Sequence, residues 1–415
     1  MFQFLWKVLK TGLFLFLFFL IAVILLFSFN HLRAPKYKFP VAKPFNGEHF
    51  YNPYAGIDSL NWRKANYHMH SHVWGGMTNG SENVDSNLWK VYKGLGFESI
   101  GISNYQNINT LYQDSAFYIP VYEHGYGIFK NHQLCLGAKS VEWFDMPFKQ
   151  SIDQKQYMIN RLREQTELIS INHPSFFKGY APKDFSKLTG YDFVEVLNGF
   201  RNSIAHCDSA LSAGRPAFLL ANDDMHDISN PREPARRFLQ INAPSNNRKD
   251  IFAALKAGAA FGVYIITPEN ETWEMKKERL DHLPMLKSVT VEKDTLKVSV
   301  NNEALEIRFL GQSGRLLYKI CNSKVATYAI QPKDSYVRTQ IIFSSPNDRE
   351  GIQYFLNPVL RSADGSCPIM PEVHVDVYRT RVFRIIVIAS ALFLVANVFV
   401  LRKRARKRRR PTTIK

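Results

Sequence analysis

Two uncharged apolar runs, one near each end of the chain, place the strongest constraint on how this sequence can fold. Residues 12–29 read GLFLFLFFLIAVILLFSF, and residues 385–401 read IIVIASALFLVANVFVL. Each run has about the length that a helix needs to cross a bilayer. Because no small-residue cleavage pattern follows the first run, the sequence favours an uncleaved anchor over a signal peptide. It predicts a transmembrane anchor at 1–30 and a second transmembrane helix at 382–401.

The charges beside the apolar runs predict the orientation of the chain. The run RKRARKRRR begins at Arg402, so the tail at 402–415 is predicted to be cytoplasmic. With two crossings, both termini lie in the cytoplasm, and the main domain is extracytoplasmic, in the periplasm or on the cell surface. Basic residues at 33–43 favour the opposite orientation. The C-terminal signal is the stronger one, since long domains cross largely regardless of charge.

The formal net charge of +17 raises the question of a nucleic-acid partner. Most of this excess lies in the segments that flank the apolar runs. Between residues 44 and 378 acidic and basic side chains are nearly equal in number. This balance argues against nucleic acid as a partner and leaves the membrane as the partner of the basic flanks.

The central region alternates short apolar runs with helix-like segments. Helix-like patterns cover 86–97, 153–165 and 247–262, and strand-like runs lie at 98–103, 134–143, 168–172, 193–198 and 217–222. Strands that alternate with helices indicate an α/β domain with a parallel sheet or barrel, here at 31–285.

The sequence pattern changes after residue 285. Period-2 stretches separated by Gly, Asn, Asp or Pro turns predict a small all-β, sandwich-like domain at 286–378. Cys321 and Cys367 both fall in this segment, and either a disulfide between them or two free thiols is compatible with the sequence.

Polar residues follow several of the predicted strands. His68 and His70 are two residues apart, as are Asp224 and His226, so each pair presents both side chains on one face of a strand. His173 follows a third strand. Strand ends of a parallel sheet or barrel form its site, and imidazole with carboxylate is a typical ligand set for zinc, manganese or iron.

These motifs resemble the PHP family, the metal-dependent phosphoesterases named for polymerase and histidinol phosphatase domains. The resemblance is carried by the segments Tyr67–Ser71, His173–Pro174, Glu195–Gly199 and Asn222–His226. The helix-like segment 250–258 and the β-rich C-terminal part resemble the CehA/McbA-like metallohydrolase branch. The resemblance implies a distorted (β/α)7 barrel with a metal cluster in its mouth, followed by the sandwich-like domain.

The chain also departs from the family pattern. Ser103-Asn104-Tyr105 stands where the family has Thr-Asp-His, and Lys139 stands where a bridging Glu is expected, with Glu142 as its replacement. The ligands that remain suit one or two divalent ions, with zinc or manganese favoured. The expected metal ligands are His68, His70, Glu142, His173, Asp224 and His226.

Together with the two apolar runs, the resemblance implies a membrane-anchored hydrolase that cleaves a small-molecule or envelope phosphoester with water activated by a metal. A carboxylic or carbamate ester is the second choice. Asp224 and His70 are the expected catalytic residues. The expected substrate-binding residues are Lys139, Asn104, Tyr105, Asn198 and Arg236. The alternative is a catalytically degenerate PHP-like domain that binds a ligand or partner at the former metal site. It is favoured by the non-ligand residues at 104, 105 and 139.

Overall fold

The computed structural model describes residues 2–76, 80, 83–345 and 348–408. The chain divides into two compact units, one of Met1–Phe39 with Val373–Lys415 and one of Pro40–Glu372. The helices are α1 (Phe2–Arg33), α2 (Asp85–Gly94), α3 (Ile152–Arg163), α4 (Ile204–Ser212), α5 (Arg248–Lys256), α6 (Trp273–Asp281) and α7 (Val377–Arg408).

The strands are short in the central region and longer after residue 286. They are β1 (Tyr37–Lys38), β2 (His49–Tyr51), β3 (Trp62–Asn66), β4 (Phe97–Ile100), β5 (Val121–His124), β6 (Gln133–Leu136), β7 (Leu168–Ile171), β8 (Phe193–Asn198), β9 (Phe218–Asn222), β10 (Arg237–Asn242), β11 (Ala260–Ile265), β12 (Leu286–Glu292), β13 (Thr295–Leu310), β14 (Leu316–Ala329), β15 (Tyr336–Ser345), β16 (Asp348–Leu356), β17 (Val359–Ser362) and β18 (His374–Val375).

The first unit consists of the two long apolar helices and a short strand pair. Gln3–Arg33 and Val377–Arg404 are long and apolar enough to cross a membrane, and their apolar side chains are exposed. β1 and β18 pair in antiparallel register, with Tyr37 opposite Val375. These helices are compatible with a membrane anchor. The orientation of the chain stays a prediction.

The second unit contains a five-stranded sheet in the order β5-β6-β7-β8-β9. β7, β8 and β9 are parallel, and all their residues are buried, which explains why the sequence shows them as continuous apolar runs. β5 and β6 run antiparallel to their neighbours. The end of β6 that lies beside His132 is therefore at the same edge of the sheet as the C-terminal ends of β7, β8 and β9.

The other sheet of this unit has eleven strands. Its α/β part contributes β3 and β4, which are parallel, and the antiparallel strands β10 and β11. β16 pairs with β11 over Phe261–Ile265, so the β-rich segment continues this sheet. The sandwich-like segment predicted at 286–378 therefore shares a sheet with the α/β part, and its assignment as a domain of its own stays a prediction. Period 2 identifies a strand but not its neighbours.

The described strands do not form the closed barrel that the resemblance implies. Single parallel bridges, Met69 to Met225 and Tyr105 to Glu123, connect the edges of the two sheets. β4 and β5 are only four residues long, so the strands end before a full ladder can form between them. The architecture is mixed α/β with two open sheets that meet at these bridges.

Two local expectations also change. The helix predicted over 247–262 ends at Lys256, because Gly258 takes a positive φ of 68° and β11 begins at Ala260. The thiols of Cys321 and Cys367 are both free in the structure, so the disulfide alternative is not realised.

A buried amide side chain ties the β-rich segment to the α/β part. Asn357 accepts a hydrogen bond from the backbone of Leu219 at 2.9 Å and donates to the carbonyls of Gly258 and Ala260 at 2.9 and 3.0 Å. The backbone N–H of Asn357 donates to the Tyr54 hydroxyl. One side chain therefore satisfies three backbone groups of the α/β part.

Replacing Asn357 with Ala is expected to destabilise the protein by about 2–4 kcal/mol, because several buried backbone groups lose their partners at once. Thermal unfolding of the detergent-solubilised chain, followed by near-ultraviolet circular dichroism, measures the change. The exposed Asn87→Ala on α2 is the control and should leave the melting temperature unchanged. Equal melting temperatures for the two variants would contradict this role of Asn357.

Candidate metal centre

The backbone bridges bring the two spaced pairs of ligand-type residues together. Met69 pairs with Met225, so the residues on either side of each methionine lie next to one another across the bridge. The backbone N–H of His70 donates to the carbonyl of Met225 at 2.9 Å. Because side chains alternate along a strand, His68 and His70 share a face with Asp224 and His226.

Four buried side chains form a first donor group, which we call group A: His68, His70, Glu123 and Asp224. The Nε2 atom of His68 lies 3.2 Å from Oε2 of Glu123 and 3.2 Å from Oδ1 of Asp224. For His70 the corresponding distances are 3.4 and 3.2 Å. Ligand atoms about 2.0–2.2 Å from one ion lie about 3–3.6 Å apart, so these spacings suit donors that share a single ion.

A second donor group, group B, consists of Glu123, His132 and His173. Oε1 of Glu123 lies 2.9 Å from Nδ1 of His132 and 3.0 Å from Nε2 of His173. Glu123 thus belongs to both groups, with one carboxylate oxygen turned towards each. A carboxylate in this position can bridge two ions.

Buried atoms without partners show that group A fits a cation. Nδ1 of His68 is engaged with Oε1 of Glu195 at 2.8 Å, which leaves Nε2 directed into the group. Among the described residues, neither His68 Nε2 nor Glu123 Oε2 has a hydrogen-bond partner of acceptable geometry, although both are fully buried. Buried polar atoms are rarely left unpaired, and a divalent ion between them would satisfy both.

The carboxylates of the site carry more negative charge than the histidines paired with them balance. Among the described residues, the ion pairs of Glu123 and Asp224 are all with histidines. Burial alone raises the pKa of Glu123, but His68 and His132 outweigh it and hold that pKa well below its usual range. Asp224 is likewise kept ionised, because His68, His226 and His70 together outweigh the effect of burial and hold its pKa well below the usual range. Buried ionised carboxylates require a countercharge, and a metal ion supplies one.

The imidazoles differ in their electrostatic environment. Burial lowers the pKa of His70 to about 4, so its ring is neutral and its Nε2 can act as a ligand. Burial also lowers the pKa of His68, but Asp224, Glu195 and Glu123 together raise it well above its usual value. The difference locates the greatest concentration of negative charge around His68.

Glu195 orients the ligands from behind. Besides binding Nδ1 of His68, it accepts hydrogen bonds from the backbone N–H of His173 at 2.9 Å and from Nδ2 of Asn198 at 2.9 Å. Asn198 also donates to Oδ2 of Asp224 at 3.1 Å. A carboxylate behind a histidine ligand fixes the tautomer of the ring and strengthens it as a donor.

Two of the candidate ligands occupy unusual backbone conformations. His173 has φ 26° and Asp224 has φ 50°, in the left-handed region that side chains other than glycine rarely adopt. Such strain persists where the surroundings enforce it, typically at functional sites. Here it turns two ligands into the cluster at the points where β7 and β9 end.

Five of the six metal ligands expected from the sequence lie together: His68, His70, His173, Asp224 and His226. Nε2 of His226 is 3.3 Å from Oδ1 of Asp224, and its ring stacks on that of His70 with centroids 4.6 Å apart. His226 is also the most exposed of the five, with 20% of its side chain accessible. It therefore marks the solvent side of the cluster.

Glu142 does not lie in the cluster. One of its carboxylate oxygens binds Arg161 at 2.6 Å, and the other accepts a hydrogen bond from the backbone of Phe144. Lys139 is exposed at the C-terminal end of β6, whereas the His132 end of that strand is at the site. The structure corrects both expectations because β6 runs antiparallel to β7, which reverses the ends of the strand.

Three residues of the cluster were not predicted as site residues: Glu123, His132 and Glu195. Glu123 lies on a four-residue strand between Pro120 and Gly125, too short for its period to be recognised. His132 directly precedes the apolar strand β6, which was the available signal. Glu195 belongs to the segment quoted for the family resemblance, but nothing in that pattern indicates that it faces His68.

The expected substrate-binding residues have different surroundings. Asn104 is buried, and its Oδ1 accepts hydrogen bonds from the backbone and hydroxyl of Ser71, so it holds the loop after β3 in place. The ring of Tyr105 stacks on His70 at 4.6 Å. Arg236 is half-buried against Gly199, where a Cβ atom would come within 2.8 Å of Nη2. Tyr105 thus borders the cluster, Arg236 lies beside Gly199, and Asn104 is structural.

Comparison with known proteins yields little. No protein-family model and no curated protein matches the chain. A solved structure described as a two-domain protein containing a predicted PHP-like metal-dependent phosphoesterase, from Bacteroides vulgatus ATCC 8482, aligns with 13% identity and a TM-score of 0.37. The alignment covers 76% of this chain and 99% of that one. A TM-score of this size does not establish a common fold.

If Glu123 joins two metal positions, Glu123→Gln should abolish binding at both, whereas His132→Ala should weaken only one. Isothermal titration with Zn²⁺ and Mn²⁺, together with metal analysis of the purified chain, measures the stoichiometry. We expect close to two ions in the wild type and one in His132→Ala. Glu142→Gln is the matched control and should retain the wild-type stoichiometry. Normal metal binding by Glu123→Gln would contradict the shared carboxylate.

Proposed function

We propose that this chain is a metal-dependent hydrolase that cleaves a phosphoester. One observation supports this assignment above the others: two buried donor groups share a single carboxylate and open to solvent beside His226. The donors of group A would hold a divalent ion, which would polarise a phosphoryl oxygen and lower the pKa of a water for attack near neutral pH. Zinc and manganese both suit the mixed imidazole and carboxylate donors.

Protein side chains would then position the ion and the attacking water. The four residues of group A would hold the ion. The contact with Asn198 fixes the direction of the second carboxylate oxygen of Asp224. That oxygen can accept a hydrogen bond from an attacking water and orient it. His70, neutral because of its burial, keeps Nε2 available as a ligand and presents the ring on which Tyr105 stacks.

Cations near the mouth can bind the substrate phosphate. The Arg236 guanidinium lies beside Gly199, next to the Asn198 that contacts Asp224. The ammonium group of Lys130 lies 5.7 Å from the centre of the Tyr105 ring. Arg236 would keep the role expected from the sequence, and Lys130 would take the role expected of Lys139. Charge-assisted hydrogen bonds of this kind are the strong ones in phosphate recognition.

The proposed substrates are small-molecule or envelope phosphoesters, with the main unit outside the cytoplasm and no nucleic-acid partner. Two features support this: apolar helices at both ends of the chain, and the near balance of charge between residues 44 and 378. The rival hypothesis of a non-catalytic binding domain loses two of its supports. Asn104 serves the adjacent loop, and Lys139 lies away from the cluster.

The purified chain in detergent is expected to hydrolyse bis(p-nitrophenyl) phosphate, to lose activity on chelation and to regain it with Zn²⁺ or Mn²⁺. His70→Ala should reduce turnover to background, because group A loses a ligand. Glu195→Gln should lower activity by about 10–100-fold, the usual effect of losing a group that orients a metal ligand. Release of p-nitrophenol measures each rate, and Glu142→Gln is the control.

The binding-only hypothesis predicts a different result. The chain would hold less than one metal ion, and no phosphomonoester or phosphodiester would be turned over under any metal condition. Retention of full activity by His70→Ala would also refute the proposed site, since it would place the chemistry elsewhere.

The proposed topology can be tested separately with paired reporters fused after Lys415. A cytoplasmic C-terminus should give a fluorescent green-fluorescent-protein fusion and an inactive alkaline phosphatase fusion, because the phosphatase matures only outside the cytoplasm. The reverse pattern, an active phosphatase and a dark fluorescent protein, would refute this orientation.

A further inference from the structure

Exposed aromatic rings flank the candidate metal centre on two sides. We call this set the aromatic rim: Trp74, Trp143, Phe177 and Phe200. Between 47 and 61% of each of these residues is accessible to solvent. Single exposed apolar residues are ordinary, but a group of large rings around a polar, buried cluster indicates a binding surface.

On the first side, the rim is joined to the ring that covers His70. The indole nitrogen of Trp74 donates to the backbone carbonyl of Tyr105 at 2.8 Å, and Tyr105 stacks on His70. The rings of Trp74 and Trp143 meet edge to face with centroids 5.9 Å apart. These two tryptophans therefore border the mouth of group A.

On the second side, the rim contacts the other candidate ligands. The ring of Phe200 lies 5.3 Å from His226 and 5.8 Å from Phe176. Phe176 lies 5.6 Å from His173 and 4.7 Å from Phe177. The apolar surface is thus continuous with the metal centre on both sides.

The backbone presents these rings to solvent at a conformational cost. Trp74 has φ 54° and Phe177 has φ 47°, both in the left-handed region that is unfavourable for bulky side chains. Metal binding alone does not require exposed rings, so their exposure indicates a second role in ligand binding.

The charges of the rim are basic. Lys178 and Arg201 directly follow Phe177 and Phe200, and both are exposed. The segments 72–76, 173–179 and 198–202 contain no acidic residue. Of the acids near Trp143, Glu142 is paired with Arg161 and Asp145 is buried. A ligand of this surface should therefore carry negative charge next to an apolar portion.

Resting on the proposed function, we infer that the substrate is an amphiphilic phosphoester, whose phosphoryl group sits at the metal centre while its alkyl chain packs on the aromatic rim. Such a molecule combines the two chemistries that are continuous here, a site for an anion and an exposed apolar border. Membrane phospholipids and dissolved alkyl phosphoesters share this chemistry.

Two chromogenic phosphodiesters with the same scissile bond test the inference: p-nitrophenyl ethyl phosphate and p-nitrophenyl dodecyl phosphate. For the full chain in lipid nanodiscs with bound Mn²⁺, we expect kcat/KM for the dodecyl ester to exceed that for the ethyl ester by at least about tenfold, which corresponds to 1.4 kcal/mol. Supplying the dodecyl ester either as dissolved monomer or within the nanodisc lipid separates a soluble amphiphile from a membrane lipid.

Rim variants identify the surface responsible. Trp143→Ser and Phe177→Ser should each remove most of the preference for the dodecyl ester and leave the ethyl rate within about twofold. Tyr318→Ser on β14, where the tyrosine is 45% exposed, is the matched control and should keep the preference. An unchanged preference in the rim variants would overturn the inference. So would a rim-dependent preference for a phenyl ester over the dodecyl ester, which would indicate a planar ring as the occupant.

A binding measurement separates this inference from the proposed function. If the wild type hydrolyses neither ester, the proposed function fails, but the rim can still be examined with dibromododecyl phosphate. Its bromine atoms should quench tryptophan fluorescence in the wild type and less in Trp143→Phe. Equal quenching in the two proteins would refute the alkyl contact.

Discussion

The carboxylate of Glu123 is the group on which the candidate site depends. One of its oxygens faces His68 and His70, and the other faces His132 and His173. It belongs to both donor groups, and His68 of the first group also stacks on His173 of the second with ring centroids 5.7 Å apart. The bridge between Tyr105 and Glu123, which links β5 to the other sheet, therefore lies at the centre of the candidate site. The candidate site is therefore where the two open sheets meet.

The surroundings of the site stabilise arrangements that are unfavourable by themselves. Asp223, next to the strained Asp224, is buried and accepts hydrogen bonds from Asn66 and Tyr92. It also accepts from three successive backbone N–H groups, those of residues 235–237. A fully satisfied buried carboxylate rigidifies the chain around it. This anchoring explains how Asp224 can keep a left-handed conformation at the point where β9 ends.

The part of the site that could be predicted consists of ligands close in sequence. His68 with His70 and Asp224 with His226 are recognisable because a two-residue spacing places both side chains on one face of an extended segment. The choice of carboxylate could not be predicted. Glu123 and Glu142 are both near the right stretch of sequence, and only the antiparallel course of β5 and β6 decides that the first faces the histidines while the second pairs with Arg161.

The sequence by itself determined the properties that depend on local composition and period. These are the two apolar helices, the alternation of strands and helices, the β-rich C-terminal segment and most of the candidate histidine ligands. Tertiary structure alone decided which strands became neighbours. It joined β16 to β11, left the sheets open, and brought Glu123, His132 and Glu195 to the histidines. The physical reason is that side-chain periodicity is a property of a single strand, whereas pairing and direction depend on contacts between residues far apart in the chain.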